Sequence, residues 1–167
     1  MQIEDYKEFI KTTAIYPKDC AFNYLLLGLI GEAGELCNSY KKVLRDKLEK
    51  DVWVPQLKKE LGDFFWYLYQ LENEGCVDVQ VTLYGEDRNY RNLITNLFDL
   101  FSSVNDLLIS TEYQHFPTYQ GGLNTRTLNN LIYFHLDSSI EEILQINVDK
   151  LSSRKERGVL GGSGDDR

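Results

Sequence analysis

The sequence predicts an all-α protein. Three observations carry that expectation. Apolar residues recur at helical spacing in five segments, helix-breaking residues stand between several of them, and two pairs of acids spaced i, i+3 interrupt the most apolar stretches.

A first helix is expected over about residues 2–13, stopped by Pro17, whose ring disfavours helix at the residue before it. Asp19 or Asn23 can cap a second helix that runs to about Lys50. Pro55 suits the first turn of a third, which continues to about Glu74, with Gly75 as its terminator. Two further helical patterns occupy about 88–111 and 125–155. Between them and the third helix, Val77, Val79, Val81 and Leu83 alternate with Asp78, Gln80, Thr82 and Tyr84. That is a strand-like period, but a lone strand needs a partner. A Gly-rich tail fills 158–167. The 167 residues, 43% of them apolar, read as a single domain with a real core.

The net charge of −8 and the alternation of bases with acids argue against a nucleic-acid partner, because phosphate backbones reward clustered Lys and Arg. Cys20, Cys37 and Cys76 form no CxxC pair and are odd in number, as expected of reduced thiols in the cytoplasm. The acidic start MQIEDYKEF does not resemble a signal peptide, and the apolar run from Tyr24 to Gly31 is too short to span a bilayer. No membrane association is expected.

With 26 acids in the chain, about four i, i+3 acidic pairs should arise by chance. Four are present. Asp5/Glu8 and Asp46/Glu49 sit among lysines and read as solvated faces. Glu32/Glu35, in GLIGEAGEL, share a helical stripe with Leu25, Gly28 and Leu36, while Leu26, Leu27, Leu29 and Ile30 make the rest of that helix apolar. Glu60/Asp63, in KELGDFFWYLYQL, bracket a stripe of Leu57, Phe64, Tyr67 and Leu71. Two helices thus bring carboxylates inward, and four buried anions need compensation. An oxygen-only ligand set without His or Cys suits Mg²⁺, with Mn²⁺ as a substitute. Internal salt bridges to Arg or Lys are the alternative.

GLIGEAGEL, whose Glu35 is separated from ELGD by a spacer of 24 residues (Leu36 to Lys59), resembles the ExxE…ExxD signature of the all-α nucleoside triphosphate pyrophosphohydrolases, the MazG-like group that includes helical dUTPases and dCTP pyrophosphatases. TTAIYP, KKVLRD and the ending NVDKLSSRKERGVLGGSGDDR are similar to the same group, so the likeness covers roughly 3–75 and 138–167. It implies an antiparallel helical bundle of the MazG-like type. About 77–137 then reads as a mostly helical insertion that adds a helix beside the core and lengthens the last helix, and that either covers the pocket or a subunit contact or is a passive decoration.

What the resemblance implies about function follows the motifs. Glu32, Glu35, Glu60 and Asp63 would bind Mg²⁺, and Glu35 is named as the general base, although nothing in the sequence separates it from Glu32. A nucleoside triphosphate would be cleaved to monophosphate and pyrophosphate, as nucleotide-pool housekeeping. Asn147, Lys150 and the basic Arg154 one turn on match positions that contact phosphates or support the metal ligands. Lys41, Lys42 and Arg45 follow the first motif and could meet phosphate charge, or simply be a solvated face. The tail, closed by Arg167, offers backbone N–H groups to a phosphate, with Asp166 where Asn is expected. Tyr16, Trp53, Trp66 and Tyr67 are candidates for stacking on a base, or for core. Trp66 is expected roughly opposite the stripe of Asp63, available to a second subunit. The family forms homodimers or pairs of dimers, and the same is expected here.

Two other classes compete. A di-iron bundle needs two Glu-x-x-His strings, and only Glu112 to His115 is present. A non-catalytic helical interaction module would keep its buried acids salt-bridged. The base and sugar of the substrate are not legible.

Overall fold

The computed structural model describes residues 1–77, 79, 92–112 and 125–161. Among them the protein is all-helical: α1 (Ile3–Lys11), α2 (Ala21–Asp46), α3 (Lys50–Asn73), α4 (Leu93–Glu112), the short α5 (Thr125–Asn129) running into a π-helical stretch (Asn130–His135), and α6 (Ile140–Glu156). No strand occurs among the described residues, and the alternating segment from Asp78 to Tyr84 lies almost wholly outside them.

α3 is the centre of the bundle. It packs against α2, α6 and α1, while α4 packs on α2. Leu57, Leu61, Phe64, Phe65, Leu68, Tyr69 and Leu71 of α3 are buried, and so are Leu25, Leu29 and Leu36 of α2 and Ile140, Ile143 and Leu144 of α6. The apolar positions of α3 run nearly all round the helix, as a central helix requires.

Four boundaries differ from expectation, each for a local reason. α2 starts without a side-chain cap, at Cys20, after a single 3₁₀ turn over Lys18–Cys20. It stops at Asp46, because Lys47 enters the left-handed region at φ 52° and Leu48 N–H returns to the Val43 carbonyl at 3.2 Å. α3 begins at Lys50, so Pro55 is its sixth residue and its missing N–H leaves one intrahelical bond unmade. The expected last helix is two elements. Asp137 at φ 48° breaks it, and Ser139 restarts it by accepting a hydrogen bond from the Glu142 N–H at 3.2 Å. Ser139-x-x-Glu142 is a capping-box sequence, a signal present in the chain and missed. Gly75, at φ 71°, ends α3 as expected.

The segment from Lys18 to Asp46 is long and apolar enough, by length and composition, to cross a membrane, which the short apolar run did not suggest. Its Leu25, Leu26, Leu29 and Leu36 are buried while Leu27 and Leu44 are exposed, the helix packs on α3 and α4, and it carries Glu32 and Glu35 in mid-helix.

Candidate metal centre

The centre is built where α2, α3 and α6 meet. Gly62 lets α6 approach closely, since a Cβ there would lie 3.0 Å from Asn147 Cβ. The next residue, Asp63, is therefore within reach of α6. Asn147 Nδ2 donates to Asp63 Oδ1 at 2.8 Å, and Lys150 Nζ pairs with Asp63 Oδ2. Across the gap from α2 comes Glu32. Carboxylate oxygens of Glu32, Glu60 and Asp63 all lie within 4.8 Å of one another. Ser39, also on α2, donates to Glu60 Oε1 at 3.3 Å.

Glu35 is the exception among the four acids. It is exposed, stands outside that cluster, and accepts from Asn38 Nδ2 at 3.4 Å, but it lines the same cavity. The two acids of the first motif therefore separate by environment, which the sequence did not show.

Burial first, then the charges of Asp63, Glu60 and Glu35, push the Glu32 carboxyl from its ordinary 4.5 to about 8, with Lys150 opposing them. Lys150 pairs with Asp63 and lowers the Glu32 carboxyl's climb without cancelling it. The donor set is all oxygen and partly buried, and it fits a hard divalent cation such as Mg²⁺ or Mn²⁺.

A cavity of about 450 Å³ opens on the cluster, lined by Glu32, Glu35, Glu60, Asp63, Lys150 and Arg154 together with Thr13, Tyr16, Tyr24, Trp66 and Tyr67. Tyr16 stacks on Tyr24 with ring centroids 5.7 Å apart, and Trp66 meets Tyr16 and Tyr67 edge-on at 6.1 and 4.9 Å. Tyr16 is fixed from behind: its hydroxyl donates to Glu74 Oε1 at 2.6 Å, and Lys18 pairs with the same carboxylate. Burial, with the neighbouring Tyr24 and the acids Glu32 and Asp63, pushes the Tyr67 phenol up to about 12. Its ring lies over Gly28, where any Cβ would overlap it.

Tyr16, Tyr67, Lys150 and Arg154 thus line the cavity as expected, and buried Asn147 supports it from behind. Trp66 corrects its expectation. It stands on the Asp63 side, because three residues along a helix nearly close a turn, and its Nε1 donates to Thr13 Oγ1 at 2.9 Å. Trp53 packs on Tyr40 and lines neither this cavity nor the second one described below. The same is true of Lys41 and Arg45. Arg167 and the whole GSGDDR end lie outside the described residues, while Leu160 and Gly161 just before it reach the cavity. None of the described residues of α4, α5 or the π-helical stretch lines it.

Tyr24 and Tyr6 were missed. Tyr24 could have been found, since Tyr24, Gly28 and Glu32 form an i, i+4, i+8 stripe on α2. Tyr6 could not, because it reaches the site through Asn147, 141 residues away.

The chain is 30% identical over 178 aligned positions, spanning all of both chains, to the Gene 37 protein of Mycobacterium phage L5. It belongs to the Gene 37 protein family. No family model matches the sequence, and no solved structure matches it either. The name Gene 37 protein specifies no chemistry, so the chemistry of this Gene 37 relative rests on the residues of its centre.

Proposed function

We propose that this protein is a MazG-like, Mg²⁺-dependent nucleoside triphosphate pyrophosphohydrolase that converts a nucleoside or deoxynucleoside triphosphate to its monophosphate and pyrophosphate. The observation that carries the reading is the cluster of Glu32, Glu60 and Asp63 oxygens within 4.8 Å, opening on a cavity with four aromatic rings.

Glu32, Glu60 and Asp63 would hold the ion. When bound, Mg²⁺ would neutralise phosphate charge and make a water more acidic. Glu35, exposed and outside the tight cluster, is the carboxylate left to take the water's proton. The water oxygen then bonds to the α-phosphorus, the bridging oxygen leaves with the β-phosphorus, and pyrophosphate carries away the electron pair. Lys150 and Arg154 would face the phosphates, and Tyr16, Tyr24, Trp66 and Tyr67 would enclose base and sugar. Asn147 holds Asp63 in position.

The rival reading, a non-catalytic helical interaction module with salt-bridged acids, draws support from the Lys150–Asp63 pair. The raised Glu32 carboxyl, which the charges of Asp63 and Glu60 help to push up, favours a cation at the cluster over a salt-bridged module. We favour the enzyme. We also propose a cytoplasmic homo-oligomer, dimer or tetramer, an association favoured by Leu27 and Phe98, each 70% exposed.

The test is a panel of canonical and modified NTPs and dNTPs incubated with Mg²⁺ or with chelator, measuring both products. Metal-dependent pyrophosphate release, lost in Glu60→Gln, is expected. A folded protein that releases no pyrophosphate from any nucleotide overturns the reading.

A further inference from the structure

A second cavity, of about 700 Å³, lies beside the first. It is lined by Ser39, Lys42, Asp46, Leu48, Gln56, Lys59, Glu60, Ile146 and Lys150. Glu60 and Lys150 belong to both linings, so the two cavities meet at the metal centre. Their characters are opposite. The first has four aromatic rings. Among the described residues the second has three lysines and no aromatic residue, and of its two acids Asp46 is held by Arg45 through two bonds of 2.7 Å. Lys42 and Lys59 are exposed and make no ion pair with any described residue.

We infer that this lysine-lined cavity is the leaving-group subsite, which takes the β- and γ-phosphates of the substrate and then the pyrophosphate product. The inference rests on the hydrolase reading above and adds to it a direction. A molecule with an aromatic base at one end and a polyphosphate at the other spans the two cavities, with its α-phosphorus at the acids they share. Lys59, immediately before Glu60 in the chain, thereby gains a role that its place in an ordinary KKE string does not suggest. Lys42 reaches the subsite from α2, whereas its neighbour Lys41 does not line it. Lysine suits this task as a compact charge on a flexible stem, able to follow the product as it leaves.

The experiment titrates inorganic pyrophosphate, with Mg²⁺ present, into the wild-type protein and into Lys42→Gln, Lys59→Gln and the double variant, with a nucleoside monophosphate titrated in parallel. Lys50→Gln, at an exposed lysine lining neither cavity, controls for general charge. Because Lys42 and Lys59 are exposed, all variants should fold with unchanged melting temperature. The expected result is a loss of pyrophosphate affinity of about tenfold or more in the double variant, monophosphate affinity within about twofold, and a matching rise in KM for triphosphate. If wild-type protein cleaves nucleotides but pyrophosphate affinity survives in the double variant, the subsite is overturned and the hydrolase reading stands. If neither turnover nor pyrophosphate binding occurs in the wild type, both fall.

Discussion

The Tyr6 hydroxyl donates to Asn147 Oδ1 at 2.7 Å, and Asn147 in turn donates its amide to Asp63 at 2.8 Å. Three helices distant in sequence are joined by two hydrogen bonds that end on a carboxylate of the centre. Tyr6 and Asn147 are each almost fully buried, so removing the hydroxyl leaves an amide oxygen without its donor. Tyr6→Phe is expected to cost about 1–3 kcal/mol of stability. It should also weaken divalent-ion affinity by roughly tenfold by releasing the orientation of Asp63. Urea unfolding and metal titration of the same variant check both.

A second expectation reverses an ordinary rule. Alanine normally stabilises a helix relative to glycine by about 1 kcal/mol, and Gly31→Ala, at an exposed position with nothing near its Cβ, should show a gain of that order. Gly28→Ala should do the opposite and lose about 1–3 kcal/mol, because its Cβ meets the ring of Tyr67. Thermal melts of the two variants compare them directly, and tyrosine and tryptophan fluorescence should report the displaced ring only in Gly28→Ala.

How far the sequence carried this account can be judged from particular residues. Apolar periodicity located α1, α2, α3 and α4, and acidic spacing located Glu32, Glu60 and Asp63, since both are local properties read along one helix. The break at Lys47 was not legible because a lysine, not a glycine, takes the left-handed position there. The fate of Glu35 was hidden because burial depends on which helices arrive opposite α2. Trp66 was misplaced by misreading a three-residue step, and Ser139 by overlooking its capping box. The pairing of two cavities across Glu60 follows from the crossing of α3 with α6 and has no trace in spacing.

The raised Glu32 carboxyl makes stability depend on pH. Its folded value of about 8 exceeds the ordinary 4.5, so the folded protein holds a proton that the unfolded chain releases in between. The metal-free protein should therefore lose stability as pH rises from about 4.5 through about 8, and added Mg²⁺ should restore it above pH 7. Glu32→Gln should remove this slope. At pH 8 it should melt about 4–8 °C higher than metal-free wild type, taking roughly 2 kcal/mol of relieved repulsion at about 2–4 °C per kcal/mol. Its melting temperature should respond little to Mg²⁺. Calorimetry across the pH range, with and without the ion, reads all three effects.

Ser139→Ala removes the side-chain cap of α6 and should lower stability by about 1 kcal/mol. The loss falls on the helix that supplies Asn147, Lys150 and Arg154. Hydrogen exchange should accordingly speed up in the first turn of α6 while α3 remains protected.

The central claim is that the carboxylates of α2 and α3 together hold a divalent cation. The most direct measurement is titration of Mn²⁺ into the protein, followed by electron paramagnetic resonance of the free ion, for wild type and for the Glu60→Gln and Asp63→Asn variants. The account predicts saturable binding in the wild type, competed by Mg²⁺ and lost in both variants. Equal Mn²⁺ binding by wild type and both variants, or none by the wild type, would contradict it.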